Sequence, residues 1–219
     1  MSIHLERELT TLTKMTLTLG GMVEDHLERT RKALIEHDLA LAGAVIADDR
    51  NIDNREVKIE EECLKILALY QPVGHDLRYV VGVLKMNSDL ERIGDLVRNF
   101  ARKIRQVSSK ERVTHSFDFQ EMFQKARQML QGALDAFVNQ DASRARAVCA
   151  MDDAIDAIKR QAQKNLVAAT REHPEQAQEF YAVMGIARNL ERLADLATNM
   201  AEDVIYMVEG RVVRHQLDD

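Results

Sequence analysis

The sequence predicts an all-α protein built from two tandem, pseudo-symmetric three-helix bundles, and three observations carry that prediction. First, the chain repeats itself across its midpoint. Leu90-Glu91-Arg92-Ile93-Gly94-Asp95-Leu96-Val97-Arg98-Asn99-Phe100-Ala101 returns a hundred positions later as Leu190-Glu191-Arg192-Leu193-Ala194-Asp195-Leu196-Ala197-Thr198-Asn199-Met200-Ala201, with seven identities in twelve. A second stretch, Val45 to Asp53, reappears as Val148 to Asp156, aligning Asp49 with Asp152, Asp53 with Asp156 and Asp38 with Asp141. Second, the 219 residues hold only 2 Pro, 9 Gly and no Trp. The abundant Leu, Ala, Met, Glu, Arg and Gln favour helix over strand. Third, apolar residues recur at helical spacing through long segments separated by short breaks.

Taken in order, Leu5, Leu9, Leu12, Leu19, Val23, Leu27 and Leu34 mark one face of a first helix that ends near Glu36-His37-Asp38. A second helix runs from about Asp38 to Tyr70 and stops at Gln71-Pro72-Val73-Gly74, where Pro removes a backbone donor and Gly permits the turn. The third extends from about His75 to Val107. Residues 108–116 are polar, without apolar period, and read as a linker. The second unit follows the same plan, with helices expected over Phe117–Asn139, Asp141–Glu172 and Pro174–Glu209. Residues 1–107 and 117–219 are thus the two repeats. Short loops force consecutive helices to lie antiparallel.

A net charge of -6 argues against general nucleic-acid binding, which needs a basic face to release counterions. The run Arg98, Arg102, Lys103, Arg105, Lys110 and Arg112 reads as the ordinary cationic complement of a helix C-terminus. Met1 to Thr16 lacks the basic-then-apolar layout of a signal peptide, and no uncharged run approaches the ~20 residues that cross a bilayer. These features lead us to expect a soluble, intracellular protein. Cys63 and Cys149 fall at non-equivalent places in the repeats and are expected to be buried free thiols.

The most faithfully repeated feature is an acidic doublet four residues apart, an arrangement in which like charges on one helix repel by roughly 0.2–0.5 kcal/mol. Folding the second and third helices back about residue 73 sets Asp53 level with Glu91 and Asp95. Folding the second unit about residue 174 does the same for Asp156 with Glu191 and Asp195. Each hairpin therefore gathers four carboxylates: Asp49, Asp53, Glu91 and Asp95 in the first, Asp152, Asp156, Glu191 and Asp195 in the second. Projected at 100 degrees per residue, Leu90, Ile93, Val97, Ala101 and Ile104 share one side of the third helix, with Glu91 and Asp95 nearly opposite. The acids are thus expected on an outer wall, either binding a multivalent cation through oxygen or forming a solvated, salt-bridged face. Arg98 and Arg102 favour the second reading in the first repeat. In the second repeat the stripe Glu191, Asp195, Thr198 and Glu202, with Asp203 beside it, lacks those cations. Asn99 and Asn199 follow each doublet and offer a carbonyl ligand or an amide hydrogen bond. None of the seven His follows a Glu by three residues, as the bundle di-iron oxidases require, and no Gly-rich phosphate loop, zinc-spaced Cys/His set or nucleophile elbow is present. No catalytic residue is assigned. A metal-dependent carboxylate-bundle enzyme stands as the alternative.

The paired E-x-x-x-D segments, Glu91 to Asp95 and Glu191 to Asp195, with Asp49/Asp53 and Asp152/Asp156 on the preceding helices, resemble the PhoU family of phosphate-uptake regulators over nearly the whole chain. The resemblance implies a cytoplasmic, all-helical, non-enzymatic adaptor that holds back phosphate uptake and the phosphate-starvation response. Its implied partners are the ATP-binding subunit of the phosphate ABC transporter, a membrane sensor histidine kinase and a second copy of itself. It also implies metal (Fe, Zn, Mn or Mg) at the acidic motifs, assigning ligation to Glu91, Asp95, Glu191 and Asp195 assisted by Asp49, Asp53, Asp152 and Asp156. Arg98 and Arg102 depart from that pattern in the first repeat. An accessory protein of a different phosphate transporter would share the same fold.

Overall fold

The computed structural model describes residues 3–104 and 119–213. The proposed linker, 108–116, lies outside them, as do the expected end of the third helix beyond residue 104 and the start of the fourth before 119. Every described element is helical.

The apolar stripe read from the sequence is the buried face of α1 (Ile3–Glu36), where Leu5, Leu12, Leu19, Val23, Leu27 and Leu34 are all buried. The chain then turns at His37, φ 58°, and Asp38 caps α2 (Leu39–Tyr70) by accepting from Leu41 N at 2.9 Å. Gln71 in the left-handed region ends α2, and α3 (Gly74–Ile104) returns antiparallel. After α4 (Phe119–Asn139) the same device recurs: Gln140 takes φ 50° and Asp141 accepts from Arg144 N at 3.0 Å to cap α5 (Ala142–Cys149). Matching backbone and matching caps show that the repeat is structural.

The single helix expected over Asp141–Glu172 is two helices, α5 and α6 (Asp152–Glu172). At the junction Met151 N bonds to Val148 O and Ala154 N to Met151 O, contacts three residues back that tighten the backbone and interrupt the α-helical ladder. Asp152 and Asp153 then occupy the first turn of α6, where carboxylates favour the exposed N–H groups. In the first repeat α2 runs unbroken through the equivalent stretch. A 3₁₀ turn, Pro174–Gln176, leads into α7 (Ala177–Glu209), and Pro suits such a start because its missing N–H would go unpaired there.

The most extensive packing in the molecule joins α3 to α7 across the two halves, and one apolar core runs through both. Arg78 Nε reaches Met207 O, Lys85 Nζ reaches Asp203, Asn189 Nδ2 reaches Leu96 O and Lys103 Nζ reaches Gly185 O. This ladder is antiparallel, and its centre lies near Gly94 and Ala194, where a pseudo-two-fold axis relates the repeats. Stacked rings, Phe100 on Phe123 at 5.0 Å and Tyr79 on Phe137 at 5.6 Å, tie α4 to α3. Among the described residues no helix is long and apolar enough to cross a membrane.

Candidate functional site

In the first repeat α2 supplies Asp49 and Asp53, and α3 supplies Glu91 and Asp95. Gly94 sets the approach of the two helices: a Cβ there would lie 3.2 Å from the Ile52 side chain, so a larger residue beside Asp95 would press α3 away from α2. The expectation of surface carboxylates fails for Asp49, which is only 4% exposed. It is tolerated inside because the Arg98 guanidinium pairs with it and, at 2.7 Å, with Asp95. Burial still raises the Asp49 pKa more than Arg98 lowers it, with Asp53 and Asp95 adding to the rise. Glu91 is raised by burial first and then by Asp95, Asp53, Glu56 and Asp49. Those causes put the four expected acids in one electrostatic neighbourhood and add a fifth, Glu56. The Asn87 amide donates to the Glu56 carboxylate at 3.0 Å and to its carbonyl at 2.9 Å.

The second repeat gathers Asp152 and Asp156 from α6 with Glu191 and Asp195 from α7. Sequence reading expected no matching cations here, and that expectation is overturned. Lys159 pairs with Glu191, Arg160 pairs with Asp156 at 3.2 Å, and Asp203 pairs with Lys85 of the first repeat at 3.0 Å. Lys159 lies one helical turn past Asp156, on the strip that faces α7, so the hairpin register already contained this pair. Thr198 Oγ1 donates to Asp152 at 3.4 Å. Asp152 is raised by burial, then by Asp156, with Asp153 and Glu191 adding to it and Thr198 opposing. Asp195 is pushed up to about 6, by burial first, then by Glu191, Asp152 and Asp156, while Lys159 pulls the other way.

The two acidic neighbourhoods are not separate outer walls. Asp95 and Asp195 line one cleft of about 350 Å³ between α3 and α7, together with Arg92, Leu96 and Asn99 and their repeat equivalents Arg192, Leu196 and Asn199. The same four positions of each repeat meet across the pseudo-dyad. Asn99 Oδ1 accepts from Arg102 at 3.3 Å, taking up one of the carbonyls considered as a ligand.

Among the described residues, no three or more His, Cys, Asp or Glu side chains stand together in ready ligand geometry for a metal ion. The donor set nevertheless suits a hard cation. Among the described residues Asp53, Glu91, Asp152 and Asp195 are in no ion pair, and three of them hold protons more tightly than ordinary carboxylates. Negative charge there is only partly compensated. In the first neighbourhood Arg98 already bridges Asp49 and Asp95 and fills the place of a cation. The second has its guanidinium on the rim, at Asp156, and an ammonium on Glu191. Both cysteines are raised by burial, Cys63 to about 12 and Cys149 to about 11, so neither offers a thiolate.

Fold and site together define a class: an internally duplicated, all-helical protein whose repeats each present an acidic α-hairpin. The PhoU domain model matches residues 16–104 and 119–204, one match per repeat, and the chain belongs to the PhoU family. It is similar to the phosphate-specific transport system accessory protein PhoU homolog of Pseudomonas putida, 36% identical over 216 residues, covering 98% of this chain and 84% of that one. The PhoU of Escherichia coli, with the same accessory-protein name, is 31% identical over 95% of this chain and 86% of its own. The crystal structure of PhoU from Pseudomonas aeruginosa superposes with a TM-score of 0.85 at 33% identity, covering 94% of this chain and 99% of that one. The phosphate transport system regulatory protein PhoU from Streptococcus pneumoniae gives 0.87 at 28% identity, over 95% and 99%.

Proposed function

We propose that this protein is a non-enzymatic regulator of a phosphate-specific transport system that restrains phosphate uptake and the phosphate-starvation response when phosphate is plentiful. The observation that carries this reading is the match of both repeats to the PhoU domain, together with near full-length similarity to relatives named as accessory proteins of that system. In this role it acts in the cytoplasm as an adaptor between the transporter's ATP-binding subunit and the membrane sensor histidine kinase, as a homodimer. Retention of both partners on the immobilised protein, from cells grown in high phosphate, is the expected result. Loss of both under that condition contradicts the adaptor role.

The acidic neighbourhoods act as cation sites in this reading. Asp152, Asp156, Glu191 and Asp195 would hold the ion in the second repeat, and Asp49, Asp53, Glu91 and Asp95 in the first, with Lys159 and Arg98 moving aside. A bound divalent or trivalent ion supplies charge compensation and order to the surface. Support comes from the raised proton affinities and from the carboxylates that lack ion pairs among the described residues.

A further inference from the structure

The crossing of α3 and α7 is symmetric in backbone but not in charge. The hundred-residue offset makes Lys85 equivalent to Gly185, Ser88 to Arg188, Asp89 to Asn189 and Lys103 to Asp203. At one end Lys85 pairs with buried Asp203 at 3.0 Å and Arg92 with Asp89 at 3.4 Å, so cations face carboxylates. At the other end the carboxylates are replaced. Asn189 stands where Asp89 would be, Lys103 where Asp203 would be, and Arg188 and Arg192 lie on the adjoining turns of α7.

Lys103 is half-buried, and its ammonium donates to Gly185 O at 3.2 Å and Asn189 Oδ1 at 3.3 Å, both neutral acceptors. Gly185 makes this seat possible, because a Cβ there would lie 2.9 Å from Lys103 Cε. Among the described residues Lys103, Arg188 and Arg192 form no ion pair. Burial, followed by the charges of Arg188 and Arg192, pushes the Lys103 pKa down, which accords with three cations near one another. Arg188 and Arg192 are exposed, and Arg192 also lines the cleft with Asn99, one turn before Lys103, where Asp95 and Asp195 stand on the far side from the Lys103 end of the helices.

We propose that Lys103, Arg188 and Arg192 bind a phosphate-class oxyanion at this end of the α3–α7 crossing. Two guanidinium forks and an ammonium present more donors than one carboxylate can accept, whereas a phosphate dianion offers three or more acceptor oxygens and a second charge. Inorganic phosphate and the terminal phosphate of a nucleotide share that chemistry. The site rests on neither metal at the acidic clusters nor the adaptor role.

The test is calorimetric titration of the full chain, stripped of metal with EDTA, using orthophosphate and ADP at constant ionic strength. The wild type is expected to bind at least one of them. Lys103→Met, and Arg188→Gln with Arg192→Gln, should each weaken binding about tenfold or more, the worth of a charge-assisted hydrogen bond. Preference for orthophosphate assigns the free ion, and preference for ADP a nucleotide. No binding of either ligand, or unchanged affinity in the variants, overturns the inference. Should Lys103→Met not fold, the exposed arginine pair decides alone.

Discussion

The Asp195 carboxyl, although the residue presents an exposed surface, is pushed up to about 6 by partial loss of surrounding water and by the negative charges of Glu191, Asp152 and Asp156. In the unfolded chain the same acid titrates near 3.8. Between those values the folded state binds more protons, so this group's contribution to stability falls as pH rises from about 4 to about 6 and stays low above that. Asp195→Asn should therefore stabilise the metal-free protein at neutral pH, with the gain fading as pH drops through that window. Urea denaturation across the range checks it, and a gain independent of pH would count against this account. Arg98 presents the opposite case. Its removal leaves Asp49 buried beside Asp53 and Asp95, so Arg98→Gln should cost about 2–3 kcal/mol at neutral pH in a urea melt. Lower pH should lessen that loss as Asp49 takes up its proton. Most of this chemistry is legible in residue type and spacing. The depth of Asp49 is not, since a wheel drawn for α3 alone says nothing of how far α2 sinks beside it.

Each repeat starts its middle arm with the same local device, a non-glycine residue at positive φ followed by an aspartate cap. Asp38→Ala and Asp141→Ala should each cost ~1 kcal/mol, additively because the caps sit in separate halves. Chemical denaturation of the two single variants and the double variant measures this. The aligned aspartates pointed to that equivalence before any coordinates. The split between α5 and α6 gave no such warning, because Ala150 and Met151 are good helix formers and no Gly or Pro marks the junction. Hairpin register, by contrast, is informative. Folding about residue 174 sets Lys159 beside Glu191 as surely as it gathers the acids, a pair that a stripe drawn along one helix does not show because it forms across two.

At the scale of the whole molecule, the repeat says what each half is but not how the halves dock. A hundred-residue offset carries no information about the antiparallel crossing of α3 and α7, so the shared cleft that brings Asp95 and Asp195 together was not foreseeable from either half. The two repeats also differ in how their charges are paired. One acidic neighbourhood carries its own bridging arginine, while the other pairs Lys159 with Glu191 and Arg160 with Asp156, and among the described residues each leaves two carboxylates without an ion pair; the ends of the crossing also differ in charge. Whether the second neighbourhood is a cation site in a phosphate-transport regulator is decided by elemental analysis of protein purified without an affinity tag. Bound metal is expected in the wild type, and its loss in Glu191→Gln with Asp195→Asn at unchanged helical content. Wild-type protein without metal after equilibration with Fe, Zn, Mn and Mg, or a variant that keeps its full complement, would contradict it.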